Sequence, residues 1–282
     1  MRWPAWKRWL ATLTVISAGG ACFVGYLYVK NIAIPTYQHN KRVTHAQAMF
    51  KERCKRAGVF IHRTVQDVEA IRLINVRSTS RHDEKQFVLW DPYGDEYGGE
   101  AYIASFLQYP GEAKREETTD GAMRYRAVHA EYPEAGRSRR FRYVPTAQAL
   151  KEIPVYRELR PSELLDNHPY LMSGVESDQD LPPYGLRFKD ISTREERNYW
   201  IAGSSLQVVE LLTGEVIAER VGYLWDPGLG DSSAGRAPWM FAARVACPEF
   251  LPLPGMNSRA TAKAAQKGQA YRFVRQVLIP KP

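Results

Sequence analysis

Metal-binding and redox patterns are missing from this chain. Cysteine occurs three times in 282 residues, at Cys22, Cys54 and Cys247. There is no C-x-x-C and no H-x-x-x-H, and His39, His45, His62, His82, His129 and His168 are scattered. Those gaps exclude a zinc ribbon or a helix-borne zinc pair, whose ligands share one turn or one helix face. No histidine follows His168, so a lipase-type serine hydrolase would lack its C-terminal base. Acidic residues are absent from residues 1–30, and charge of either sign from residues 9–29. No segment repeats at a fixed period, which excludes a solenoid.

What is present fits a globular protein. The length suits one large domain or two small ones. Apolar residues make up 44% and charged residues 25%, an ordinary balance. The net charge of +8 overstates any attraction to polyanions. Arg2, Lys7, Arg8 and Lys30 all lie in the first thirty residues, and removing them leaves 35 basic against 31 acidic residues, a net +4. A mildly basic domain behind a basic tail predicts no nucleic-acid partner.

Residues 9–29, WLATLTVISAGGACFVGYLYV, form an uncharged run of 21. About 20 such residues in a helix cross the hydrocarbon core of a bilayer. Trp3, Trp6 and Trp9 lie at one end and Tyr26 and Tyr28 at the other, as rings with an apolar body and polar edge do at both interfaces. This predicts a transmembrane helix over 9–29 and a cytoplasmic tail over 1–8, because the basic residues before the span outnumber those close after it. Two alternatives are a cleaved signal ending near Ala18, Gly19 and Gly20, and a lipoprotein signal using Cys22. Against both, the apolar run continues to Val29, and Gly19 stands where the lipoprotein pattern wants a bulky aliphatic residue. The anchor reading places the chain in the inner membrane, single-pass, with its C-terminal domain in the periplasm. Cys54 and Cys247 are then an even pair in a compartment that permits disulfides. Two buried free thiols are the alternative, since Cys54 falls on an apolar helical stripe.

Beyond the span, residues 30–39 with Pro35 read as a linker, and residues 40–282 as one exported domain. Val43, Ala46, Phe50 and Cys54 recur every three or four positions and predict a helix over 40–57. VFIHRTV, EAIRLINVR, QFVLW, MRYRAVHAEY, RRFRYVP and YGLRFKDIS read as strands. SSLQVVELLTGEVIAERVGYLW predicts a hairpin turning at Thr213-Gly214. Residues 145–183 carry six prolines and read as irregular, with one short helix at 147–151. APWMFAARVAC and residues 260–278 predict two more helices. The fold class expected is α+β, a mostly antiparallel sheet with flanking helices, preceded by the transmembrane helix.

Candidate chemistry centres on LWDPGLGDSSAGRAPWMF at 224–241. Gly230 and Gly235 have the spacing of a phosphate loop, but Arg236 and Ala237 replace its lysine and hydroxyl. GDSSAG is similar to the GDSGG nucleophile loop of chymotrypsin-like proteases, with Ser233 and Ala234 in place of both glycines. Ser232 or Ser233 would be the nucleophile and His129 the base. DPYGDEYGGE, with Asp91, Asp95, Glu96 and Glu100, invites calcium but lacks the alternate-position ligands of an EF-hand. Neither metal nor cofactor is expected. Arg137, Arg139, Arg140 and Arg142 interleave with Phe141 and Tyr143, a pattern that suits anionic lipid heads or a solvated strand face.

FKERCKRAGVFIHRTVQDVEAIRL, DISTREERNYWIAGSSLQVV and TGEVIAERVGYLWDPGLGDSSAGRAPWMFAARVACPEF resemble uncharacterised proteobacterial envelope proteins that carry an N-terminal signal or anchor. The resemblance covers about half of the chain and implies an exported domain holding both Cys54 and Cys247. No activity comes with it. The expected function is therefore a membrane-anchored, non-enzymatic binding module with a protein partner in the envelope, of which an immunity-type protein is one version. The alternatives are an exported serine hydrolase built on residues 230–236 and a lipid- or glycan-contacting accessory protein.

Overall fold

The computed structural model describes residues 4–77, 85–87, 93, 98–110, 124–132, 137–152, 168–177, 180–250, 265–266 and 268–282. The chain divides into two compact units, residues 1–48 and 49–282.

The first unit is helical. Helix α1 (Ala5–Tyr28) runs through a π turn, Val29–Ala33, into α2 (Ile34–Cys54). The expected linker over 30–39 is thus helix. Pro35 is the second residue of α2, inside a continuous helical run where its missing donor must be accommodated. The turn ahead of it is widened, with the Ile34 N–H donating to the Val29 carbonyl, which relieves the clash between the proline ring and the preceding carbonyls. Phe23, Val24, Tyr26, Tyr28, Ile32 and Tyr37 are exposed. Among the described residues no helix is long and apolar enough to cross a membrane. The side chains of residues 10–18, inside the expected span, are not described.

The second unit is α+β. Its main sheet runs β1-β9-β8-β7-β3-β4-β5-β6, with β10 also on β9. The strands are β1 Gly58–Ile61, β3 Ala70–Leu73, β4 Ala127–Tyr132, β5 Arg137–Pro145, β6 Tyr170–Glu176, β7 Tyr184–Asp190, β8 Ile201–Glu210, β9 Val216–Trp225 and β10 Ala246–Cys247. Only β3 pairs in parallel with its neighbours, β4 and β7; the other pairings in this sheet are antiparallel. A separate pair joins β2 (Val65–Val68) to β11 (Leu278–Pro280) in parallel. The hairpin of β8 and β9 turns where expected, with Gly214 at φ 75°, a conformation open to glycine without steric cost.

Alternation sorts the sheet into two faces. Ile71, Leu73, Val128, Phe141, Leu186, Leu206 and Val208 pack with α3 (Glu100–Ala104) and the helix Gln269–Val277 as the main core. The opposite face is polar across its middle strands, where Arg187 donates to Gln207, and Gln207 and Ser205 to Glu219.

Four expectations shift in this unit. Residues 170–176, read as irregular, form β6, and Gly174 lies under the Phe141 ring so closely that a Cβ would collide with it. The helix expected over 237–247 stops at Ala242, because Ala246 and Cys247 pair with Leu224 and Tyr223 where β1 leaves β9 uncovered. The C-terminal helix begins at Gln269 behind Gly268 at φ 74°, and residues 251–264 lie outside the described ones. Gln86 and Phe87 of QFVLW are not in a strand, and residues 88–90 are likewise not described.

Candidate functional site

The loop 226–236 leaves the end of β9 and is organised by one carboxylate. Asp226 is fully buried. It accepts from the backbone N–H of Gly228 at 3.2 Å, from that of Gly230 at 2.9 Å, and from Arg236 Nη1 at 2.9 Å, while Arg236 Nη2 binds its other oxygen. Such fork-on-fork pairing is the strong, directional form of an ion pair. Arg236 also donates to the Asp231 carbonyl at 2.7 Å and stacks over Phe241 at 4.9 Å. Its pKa is raised first by the hydrogen bond to Asp226. Arginine, not the lysine of a phosphate loop, is what this geometry uses, and it points the cation inward.

Aromatic rings carry the loop from below. Gly230 has φ 85°, and a side chain there would run into Trp200. Trp200 stacks on Trp239 at 5.1 Å, and the Trp239 indole N–H donates to the Lys85 carbonyl at 2.9 Å. Trp200, Leu229 and Ala234 all sit at positive φ without being glycine, at 56°, 48° and 55°. Strain of that kind persists only where surroundings over-determine it, and it clusters at functional surfaces.

The surroundings are indeed fixed. Thr193 and Glu196 form a reciprocal capping box on the helix Arg194–Asn198. Glu196, 1% exposed, also pairs with Arg53, and Arg197 pairs with Asp190 and lies 5.3 Å from the Trp239 ring centre. One residue from Arg53, Cys54 is disulfide-bonded to Cys247, with Cα atoms 5.6 Å apart. Of the two readings the sequence left open for Cys54 and Cys247, the structure shows the disulfide.

The expected hydrolase residues are not brought together. Ser232 and Ser233 are exposed. The Ser233 hydroxyl donates to Asp231 at 3.0 Å, a local turn bond. His129 lies on β4, four strand spacings from β9, roughly 19 Å across the sheet. It is buried in a row with Arg72 and Arg140, its paired neighbours on β3 and β5. Burial first, and those two cations next, push its pKa down. The basic patch also divides. Arg140 and Arg142 project from one face of β5, and Arg142 reaches Glu152 at 3.7 Å. Arg139 projects from the other face, over Phe141, and donates to the Gly174 carbonyl. The Arg137 side chain, and Asp91, Asp95 and Glu96 of the calcium candidate, lie outside the described residues. Among the described residues no three His, Cys, Asp or Glu side chains cluster as a metal site.

Asp226 and Trp200 were not read as site residues from sequence. The signal for the first was available: aspartate before Pro-Gly-x-Gly is an Asx-turn pattern, whose carboxylate caps the backbone that follows. For Trp200 there was none, since its role depends on the close approach of Gly230. No protein-family model, curated protein or solved structure matches the chain.

Proposed function

We propose that this is a single-pass, membrane-anchored envelope protein whose residues 226–236 form a rigid contact surface for a protein partner, without an enzymatic activity of that loop. The observation that carries the reading is the Asp226 carboxylate. Its hydrogen bonds all go to the loop's own backbone and to Arg236, so the charged groups are spent on holding the shape. What faces outward is Asp231, Ser232, Ser233, Ala234 and Gly235, all exposed. A preorganised loop of small side chains lets a partner approach the backbone closely and loses little conformational entropy on binding.

Anchoring rests on the uncharged run 9–29 and on exposed apolar residues that continue through Tyr37. The disulfide supports an oxidising compartment. An alkaline-phosphatase fusion after Pro282 tests the topology: activity is expected, and an inactive, stable fusion overturns the orientation. Labelling with a serine-reactive phosphonate tests the hydrolase alternative. No labelling is expected. Labelling that disappears in a Ser232→Ala, Ser233→Ala double variant would replace the present reading.

A further inference from the structure

A second feature lies midway along β9, on its core face. Arg220 is 4% exposed, and among the described residues its Nε, Nη1 and Nη2 have no hydrogen-bond partner. Its register partner on β8 is Leu206, which belongs to the core face, so Arg220 points into the layer between sheet and helices. A guanidinium stays protonated inside proteins. An uncompensated buried charge is costly, and this one cannot escape by losing its proton.

Two rings partly compensate it. The guanidinium carbon lies 5.2 Å from the Tyr93 ring centre and 5.8 Å from that of Phe273. Cation–π contact uses the faces of the guanidinium plane. It leaves the in-plane N–H edge, whose fork matches a carboxylate with two parallel bonds. Ser204 supplies a further donor. Its hydroxyl, on a residue 1% exposed, also lacks a partner among the described residues. Ser204 pairs with Gly222, two residues from Arg220 and on the same face, which makes Ser204 and Arg220 diagonal neighbours. Arg77 places a second guanidinium in this layer, 4.8 Å from the ring centre of Phe188, the β7 neighbour of Leu206.

The position is near solvent although buried. On its other side Arg220 pairs with Val59 of the edge strand β1, and Val59 is 47% exposed on the same face.

We propose that Arg220 and Ser204 form a binding site for a small organic carboxylate, held edge-on to the guanidinium between Tyr93 and Phe273. The proposal does not rest on the role given to residues 226–236, although Tyr93 belongs to the cluster against which Leu229 packs. Arg220→Met preserves shape and removes the charge, and such replacements of buried ions are often neutral or stabilising, so this variant is expected to fold. The test is thermal unfolding of the full-length chain in succinate, with sodium chloride at matched ionic strength as control. Succinate is expected to raise the wild-type Tm by about 5 °C once it reaches about a hundred times its dissociation constant. Arg220→Met should lose the response, and Ser204→Ala should shift it to higher succinate. An unresponsive wild type, a response shared by chloride, or an undiminished response in Arg220→Met would each overturn the site.

Discussion

Around the helix Gln269–Val277 the domain is sealed by apolar burial: Ala270, Phe273, Val274 and Val277 meet Leu206, Val208 and Ile217 with almost no solvent access. At the loop end of β8 and β9 the means are different. A smaller cluster of Tyr93, Trp200, Trp239 and Phe250 is braced by the Asp226–Arg236 and Glu196–Arg53 pairs and by Cys54–Cys247. Where a sheet face has a helix to cover it, the hydrophobic effect suffices and position is set by shape. Where the chain is mostly loop, burial is limited, and directional links must fix it. The second arrangement spends buried charge, which adds little net stability but specifies geometry. That is the property a contact surface needs.

The comparison can be broken most severely through the disulfide. Its sequence separation is 193 residues, for which chain-entropy scaling gives about 5 kcal/mol. Cys54→Ser should therefore lower the Tm by about 10 °C or more, and reduction of the wild type should reproduce the loss. Equal melting with and without reductant would show that the loop end does not need its staple. Next in size is Asp226→Ala, which strands Arg236 and two backbone donors and should cost about 3 to 5 kcal/mol by denaturant unfolding. Leu73→Ala, in the fully buried centre of the sheet, should cost about 3 kcal/mol through its cavity. Its cost should add to that of Asp226→Ala, whereas Cys54→Ser and Asp226→Ala should couple, because the last pair shares one braced region. Additivity in both cycles would erase the distinction between the two regions.

The smallest effect concerns His129. Burial lowers its pKa from the ordinary 6.5, so the unfolded chain takes up this proton more readily than the folded one. Stability should therefore decline as pH falls below about 6.5 and level off below the folded value. His129→Leu should flatten that limb in melts between pH 7.5 and 5.5, while leaving the carboxylate-dependent region further down in place. An unchanged slope would show that His129 is not the buried neutral group described.

Local patterns carried the sequence reading where local physics decides. The alternation and the glycine turn of β8 and β9 were legible because a hairpin is made by neighbours. Strand β6 was not, because its Ser173-Gly174 centre looks irregular until the Phe141 ring is seen to need that gap. Pro35 looked like a helix breaker, yet the π turn ahead of it lets the helix continue past it. The site divided in the same way. Gly230, Gly235 and Arg236 stood out in the sequence, but the glutamate that helps hold their frame is bonded to an arginine 143 residues away. The tryptophan beneath Gly230 was equally hidden.

The contact-surface reading is tested most directly in cells, by a photo-crosslinking residue placed at Ser232. Position 212 serves as the control, since Leu212 is 92% exposed at the tip of the hairpin. A discrete protein adduct is expected from position 232 and not from position 212, and it should disappear in Asp226→Asn, which releases Arg236 while the anchor remains. Absence of an adduct at 232, or the same adduct from both positions, or one that survives Asp226→Asn, would contradict a partner surface held in shape by Asp226.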